Sequence, residues 1–127
     1  MKKRVVITGL GVITPLGNCI KDFWNAIVDG QSGVNTITRF SVWGFPVKIA
    51  GEVNAFRPED FFTDDKMDRL DRFSQFAIAA AYQAVNDSKI DVKNGGRDDI
   101  GVVLGTSVGG IYSHEKAAED LFTRGFK

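Results

Sequence analysis

Residues Val5 to Gly17 read VVITGLGVITPLG, and the fold turns on what the glycines in this stretch are for. A β-branched run breaks into Gly9 and Gly11, and a second apolar run ends at Pro15 and Gly17. A dinucleotide-binding turn requires G-x-G-x-x-G between a strand and a helix, with an acidic residue ending the next strand. Here Thr14 stands at the third glycine position and Pro15 follows it. The next helical pattern begins only near Cys19, too late for its N-terminal amides to reach a pyrophosphate held at Gly9 and Gly11. No G-K-[ST] occurs anywhere, which removes the P-loop as well. The glycines are therefore read as packing and turn positions, where a missing side chain lets backbone approach backbone.

The stretch GTSVGG at 105–110 repeats the design: an apolar strand, glycines, then a helix. Two such corners predict a layered α/β core in which residues at strand ends face a site. Gly109 and Gly110 leave room for a thin, flexible ligand, or serve packing alone; the chemistry of the residues fits both.

Working outward, Arg4–Thr8 is nearly continuous in β-branched residues and reads as a strand buried on both faces, extended through Val12–Thr14. Asn18 is placed as a helix N-cap, with Ile20, Phe23, Trp24, Ile27 and Val28 at helical spacing and Gly30 closing the helix in a left-handed conformation. Residues 31–46 read as an irregular surface segment, Val47–Val53 as an edge strand, and Pro58 as the start of a helical turn through Phe62. Met67, Leu70, Phe73, Ala77, Ala80 or Ala81, and Ala84 recur every three or four residues and predict a helix from Asp65 to about Ser88. Its alanine-rich half, FAIAAAYQAV at 76–85, is expected inside a core, and its charged first half in solvent. After the turn KNGGRDD, Ile100–Thr106 reads as a second doubly buried strand. His114, Ala117, Ala118, Leu121 and Phe122 then mark one stripe of a last helix. Doubly buried parallel strands need neighbours on both edges and helices on both faces. Too few strands are read to supply them, so the sheet is expected to be incomplete within this chain.

The 127 residues suit one domain, with 43% hydrophobic and 25% charged residues and ten phenylalanines. Sixteen basic and sixteen acidic side chains balance to zero net charge, which argues against a nucleic-acid binder or a polybasic membrane anchor. The basic-then-apolar start is interrupted by Thr8, Gly9 and Gly11, unlike a secretory signal, and no apolar run is long enough to span a bilayer. Cys19 is the single cysteine, so no internal disulfide and no Cys-rich zinc site is expected, and a reducing cytoplasm fits.

Cys19 stands near a helix start, where the dipole lowers a thiol pKa, but the one histidine, His114, lies far away in sequence on an apolar stripe and is expected to pack. Cys19 is read as a small, partly buried filler. The carboxylate pairs Asp64/Asp65 and Asp98/Asp99 sit at turns or helix starts and read as solvated charge. Taken residue by residue, the chain shows no catalytic constellation and no metal set.

Three stretches taken together carry a family resemblance: RVVITGLGVITPLGN at 4–18, MDRLDRFSQFAIAAAYQAVNDS at 67–88 and IGVVLGTSVGG at 100–110. In this order they resemble the β-ketoacyl-acyl-carrier-protein synthases, most of all the elongating type II bacterial enzymes of the synthase II kind. FWNAIVDGQSGV and KIAGEV between them match the same pattern, so the resemblance covers essentially the whole chain. It implies a thiolase-like α/β fold of two pseudo-repeated halves, of which residues 1–127 form the N-terminal segment of the synthase domain, usually in a homodimer. It implies decarboxylative condensation of a cysteine-bound acyl chain with malonyl-acyl-carrier protein, assisted by two histidines and backbone amides, without a dissociable organic cofactor.

The resemblance places that cysteine and both histidines downstream of these residues, so neither Cys19 nor His114 takes those roles and no catalytic residue is assigned. Val108 matches the position lining the acyl pocket, and Gly109 and Gly110 would keep the backbone slim beside it. Lys66 and Arg69 match the basic residues that dock acidic acyl-carrier protein, with Arg124 and Lys127 as additions. Asp64, Asp65, Asp68 and Asp71 interleave with them, so a self-compensating solvated face competes with a docking surface. Fatty acid elongation is the leading reading. A polyketide-type ketosynthase, and a non-catalytic interaction protein with a partial thiolase-like fold, are the alternatives.

Overall fold

The structure, a computed structural model, describes residues 3–63, 67, 69–92 and 100–125. Its elements are α1 (Ile20–Val28), β1 (Val34–Thr36), β2 (Ile49–Gly51), a 3-10 turn (Pro58–Asp60), α2 (Arg72–Ser88) and α3 (Ile111–Arg124). They form two compact units, one of Met1–Arg57 with Ala79–Ile90 and one of Pro58–Ile78 with Asp91–Lys127, so α2 contributes residues to both.

In the first unit the glycines of the opening stretch lie against α2. A Cβ on Gly9 would run into the Ala84 carbonyl and the Ser88 amide, and one on Gly11 into the Ala80 carbonyl and the Ala84 amide. The intervening amides turn to side chains of the same helix. Leu10 N donates to Asp87 Oδ2 at 2.9 Å and Val12 N to Gln83 Oε1 at 3.2 Å. Gln83 Nε2 in turn donates to the Asn18 carbonyl at 2.7 Å. The next residues close a tight turn in which Thr14 and Gly17 exchange backbone hydrogen bonds of 3.0 and 3.2 Å.

Helix α1 starts one residue later than expected. Cys19 is its N-cap, with no side-chain cap, and its carbonyl accepts from Phe23 N. Asn18 is drawn instead into the packing on α2: its carbonyl holds Gln83, and its Oδ1 is sealed from solvent without a partner among the described residues. The C-terminus is as expected. Gly30 has φ +67°, Gly30 N bonds the Ile27 carbonyl and Gln31 N the Ala26 carbonyl, the paired pattern of a Schellman ending.

The only ladder among the described residues is antiparallel, β1 with β2, pairing Val34 with Gly51, Asn35 with Ala50 and Thr36 with Ile49. The β2 strand lies within the segment expected to be extended. The β1 strand falls inside the stretch read as irregular, because three residues, VNT, are too few to show an alternating pattern. Glu52 clamps the connection between them. Its carboxylate accepts from Thr38 Oγ1 at 2.8 Å, Thr38 N at 3.0 and 3.2 Å, and Arg39 N at 3.2 Å.

In the second unit Phe61 N and Phe62 N both donate to the Pro58 carbonyl, as a proline-opened turn should. Helix α2 runs over Arg72–Ser88 after a break at 69–71; Met67 is helical, and the expected start at Asp65 lies outside the described residues, as do 64, 66 and 68. Buried Gln75 bonds back across this break: its Nε2 donates to the Met67 and Leu70 carbonyls at 3.2 and 3.0 Å. The alanine-rich half of α2 is buried on one face only. Ala79 is fully buried, whereas Ile78 and Tyr82 are exposed.

Two expectations of burial fail. The runs Arg4–Thr8 and Ile100–Thr106 belong to no ladder among the described residues, and Val5 and Val103 are 96% and 99% exposed. Their composition suits strands covered on both sides, but the described residues supply no neighbouring strand or covering helix for them. Likewise Leu121, Phe122 and His114 on α3 are exposed, so His114 is not a core residue here.

Two outcomes follow from this packing. Gly11→Ala is expected to destabilise the chain by about 2–3 kcal/mol through backbone overlap. Gly101→Ala, where a Cβ meets nothing within 4 Å, should leave the urea midpoint unchanged; equal midpoints for both variants would exclude the close approach. The Glu52 carboxyl is held below its ordinary value of 4.5, chiefly by the Thr38 hydroxyl and further by the Thr38 and Arg39 amides and Asn54, against a smaller opposing effect of desolvation. A depressed folded value means the ionised clamp stabilises the fold above the unfolded pKa and is lost as pH falls through the folded one. The stability gap between the protein and its Glu52→Gln variant should therefore be widest at neutral pH and close as the pH falls below 4.5, measured by urea unfolding across that range.

Candidate functional site

The second glycine corner is the site to which the sequence points, and in the structure it is built within the second unit. Gly109 has φ +72°, a left-handed conformation that side chains rarely adopt. Its amide donates to Thr106 Oγ1 at 3.1 Å, and the Phe73 ring tip would stand 3.8 Å from a Cβ placed on it. Gly110 is the N-cap of α3, with no side chain to satisfy the helix end and no acidic residue in the first turn. Asp71 supplies the missing charge. A Cβ on Gly110 would collide with the Asp71 carboxylate, and Ser113 Oγ, in the first turn of α3, donates to Asp71 Oδ1 at 2.8 Å. Val108, just before these glycines, is 62% exposed.

Val108, Gly109 and Gly110 thus stand together at one helix start. Arg69 is exposed, while Lys66 lies outside the described residues, as do Asp64, Asp65, Asp68 and Lys127. Asp71, counted in the sequence among the charges that would neutralise a basic patch, is instead half-buried and engaged with Ser113. Arg124 pairs with Asp120 one turn back on α3 at 3.4 Å, both side chains well exposed, an arrangement that contributes little. Cys19 is half-buried in the first unit, and exposed His114 belongs to the second.

Sequence reading missed the Asp71–Ser113 pair. Its signal was indirect: a helix with glycine at its N-cap and no acidic side chain in its first turn draws its counter-charge from another segment.

Elsewhere a cleft of about 270 Å³ lies between the Thr14–Asn18 turn, Asp22 and Asn54. Among the described residues no three His, Cys, Asp or Glu side chains gather as a metal site would require, and no helix is long and apolar enough to cross a membrane.

Comparison with known proteins gives the class. Residues 2–125 match the β-ketoacyl synthase N-terminal domain, and the chain belongs to that family. Within it, the 3-oxoacyl-[acyl-carrier-protein] synthase 2 of Coxiella burnetii is 43% identical over 124 residues. The synthase 2 of Synechocystis is 40% identical over 124 residues and that of Staphylococcus aureus 40% over 123. These matches cover 97–98% of this chain but only 30% of each relative, so the chain spans about a third of their length.

Among solved structures, the ishigamide ketosynthase/chain length factor superposes with a TM-score of 0.75 at 31% identity over 94% of this chain and 30% of its own. AntDE, the ketosynthase of a type II polyketide system solved with the acyl-carrier protein AntF, gives 0.76 at 24% identity over 98% of this chain and 32% of its own. The fold is accordingly part of the thiolase-like α/β architecture, with a two-stranded open sheet.

Proposed function

We propose that this chain forms the N-terminal portion of a 3-oxoacyl-acyl-carrier-protein synthase acting in fatty acid elongation. The observation that carries the reading is identity of 40–43% to synthase 2 enzymes along nearly the whole chain. The acyl chain passes from its carrier thioester to a cysteine sulfur, and the carrier thiol leaves. Loss of CO2 from malonyl-acyl-carrier protein leaves an electron pair on carbon, which attacks the acyl carbonyl. A carbon–carbon bond forms and the cysteine sulfur departs. The cysteine and two histidines of this chemistry are assigned to residues outside this chain, and none of the described residues is given a catalytic role.

What this chain contributes is binding. Val108 forms part of the acyl-pocket wall, and Gly109 and Gly110 keep the backbone beside it thin. Lys66 and Arg69 receive the acidic carrier protein. Residues 1–127 act as one segment of a synthase domain in a cytoplasmic homodimer that needs no dissociable cofactor. Exposure of Val108 and Arg69 is consistent with contact to molecules outside the chain. A second reading, a polyketide ketosynthase, draws on the likeness at 31% identity to the ishigamide ketosynthase/chain length factor. The higher identity to the synthase 2 enzymes favours elongation.

The test is formation of 3-oxoacyl-carrier protein, followed by mass spectrometry. The 127-residue chain alone should form none, and the full-length protein should extend an acyl-carrier substrate by one malonyl unit per turnover. Condensation by the short chain would overturn the division of roles, and an unreduced poly-keto product would move the enzyme to the polyketide class. Val108→Trp in the full-length protein should lower use of long acyl donors about tenfold or more relative to short ones. An unchanged ratio would take Val108 out of the pocket.

A further inference from the structure

The Gly109–Gly110 corner lacks its own means of holding the start of α3. The N-cap is a glycine without a side chain, the first turn carries no acidic residue, and Gly109 sits in a left-handed conformation. Such a helix start leaves several amides unsatisfied and a partial positive charge uncompensated. The Asp71 carboxylate answers the second of these, bringing negative charge to the helix start from a segment 42 residues away in sequence. Its Oδ1 accepts from Ser113 Oγ at 2.8 Å, and its Oδ2 lies where a Cβ of Gly110 would be. Contact this close is possible only because Gly110 has no side chain. Gln75 N donates to the Asp71 carbonyl at 3.0 Å, so the residue that supplies the carboxylate is itself fixed at the head of α2. Phe73, two residues on, faces Gly109. Asp71 and Phe73 therefore bracket the two glycines that follow Val108.

We propose that Asp71 is a positioning residue for acyl-chain selection. Acting as a charge cap supplied from outside the helix, bonded to the Ser113 hydroxyl and seated against Gly110, it fixes the backbone on which Val108 stands. Asp71 does not touch the acyl chain; it sets how far the Val108 wall intrudes. The inference rests on the reading of Val108 as pocket wall given above.

The experiment uses the full-length protein with Asp71→Ala, Asp71→Asn and Ser113→Ala, and reads two quantities. Hydrogen exchange at the amides of residues 109–114 reports the cap directly. Loss of a helix cap predicts about fivefold faster exchange in Asp71→Ala, with Asp71→Asn, which keeps an acceptor for Ser113, partly restored. The ratio of kcat/KM for long and short acyl donors reports positioning. It should shift about fivefold in Asp71→Ala and in the same direction, by less, in Ser113→Ala. Adding Ser113→Ala to Asp71→Ala should move neither quantity further, because the two residues act through one hydrogen bond.

Unchanged exchange in Asp71→Ala would overturn the cap. Faster exchange with an unchanged acyl ratio would make Asp71 a merely structural residue and overturn the positioning role. Failure of the parent protein to condense any acyl donor would instead refute the synthase reading, and the positioning role with it, while the exchange result would still decide the cap. Should Asp71→Ala fail to fold, Asp71→Asn and Ser113→Ala carry the same two readouts. Absence of any shift in both would then count against the proposal.

Discussion

The approach of Gly9 and Gly11 to the backbone of α2 is the contact on which the first unit depends. A strand normally satisfies its amides with the next strand, at a spacing that leaves room for side chains. Here the partner is a helix, and its Ala80 and Ala84 carbonyls occupy the space that Cβ atoms would fill. The Leu10 and Val12 amides then meet Asp87 and Gln83, one helical turn apart on α2. A single amide, Gln83, accepts from Val12 and donates to Asn18, so both ends of the turn that precedes α1 are tied to one side chain. Small residues on the helix and none on the facing segment make the geometry possible; the polar groups of Gln83 and Asp87 make it specific.

The second corner solves the same problem with different means. At Gly9 and Gly11 the helix offers its flank. At Gly109 and Gly110 the residues around the head of α2 offer a carboxylate and a ring, Asp71 and Phe73. Both solutions put glycine where another group must come within contact distance. This explains why a G-x-G spacing in a strand-to-helix corner resembles a nucleotide site in sequence while serving a different end.

What the sequence made legible was local. The left-handed Gly30, the proline turn at Pro58 and the part of the helical stripe from Phe73 through Ala84 each depend on residues within one or two turns, and each stands as read. The glycine corners were legible in kind, since Thr14 and Pro15 argue against a phosphate cradle and the close approach of Gly9 and Gly11 to α2 fits packing glycines. The misses share a cause. Asn18, whose carbonyl holds a glutamine 65 residues away, does not cap α1, Gln75 bonds back to Met67 and Leu70, and Asp71 joins Ser113 across 42 residues. Burial of Arg4–Thr8 and Ile100–Thr106 was inferred from composition, which records what a strand is suited to pack against and not whether that partner is present. At the candidate site the glycines and Val108 were visible as a motif. The cap that holds them was not, because no periodicity links a carboxylate to a helix start in another segment.

The reliance of the first unit on α2 also fixes an order of events during synthesis. Leu10 is hydrogen-bonded to a residue 77 positions later. At elongation rates of 5–20 residues per second, the N-terminal glycine segment waits roughly 4–15 s on the ribosome before Asp87 is made. During that interval the Leu10 and Val12 amides have no native acceptor. The time at which α2 is made therefore sets how long these two amides go without the acceptors they have in the folded unit.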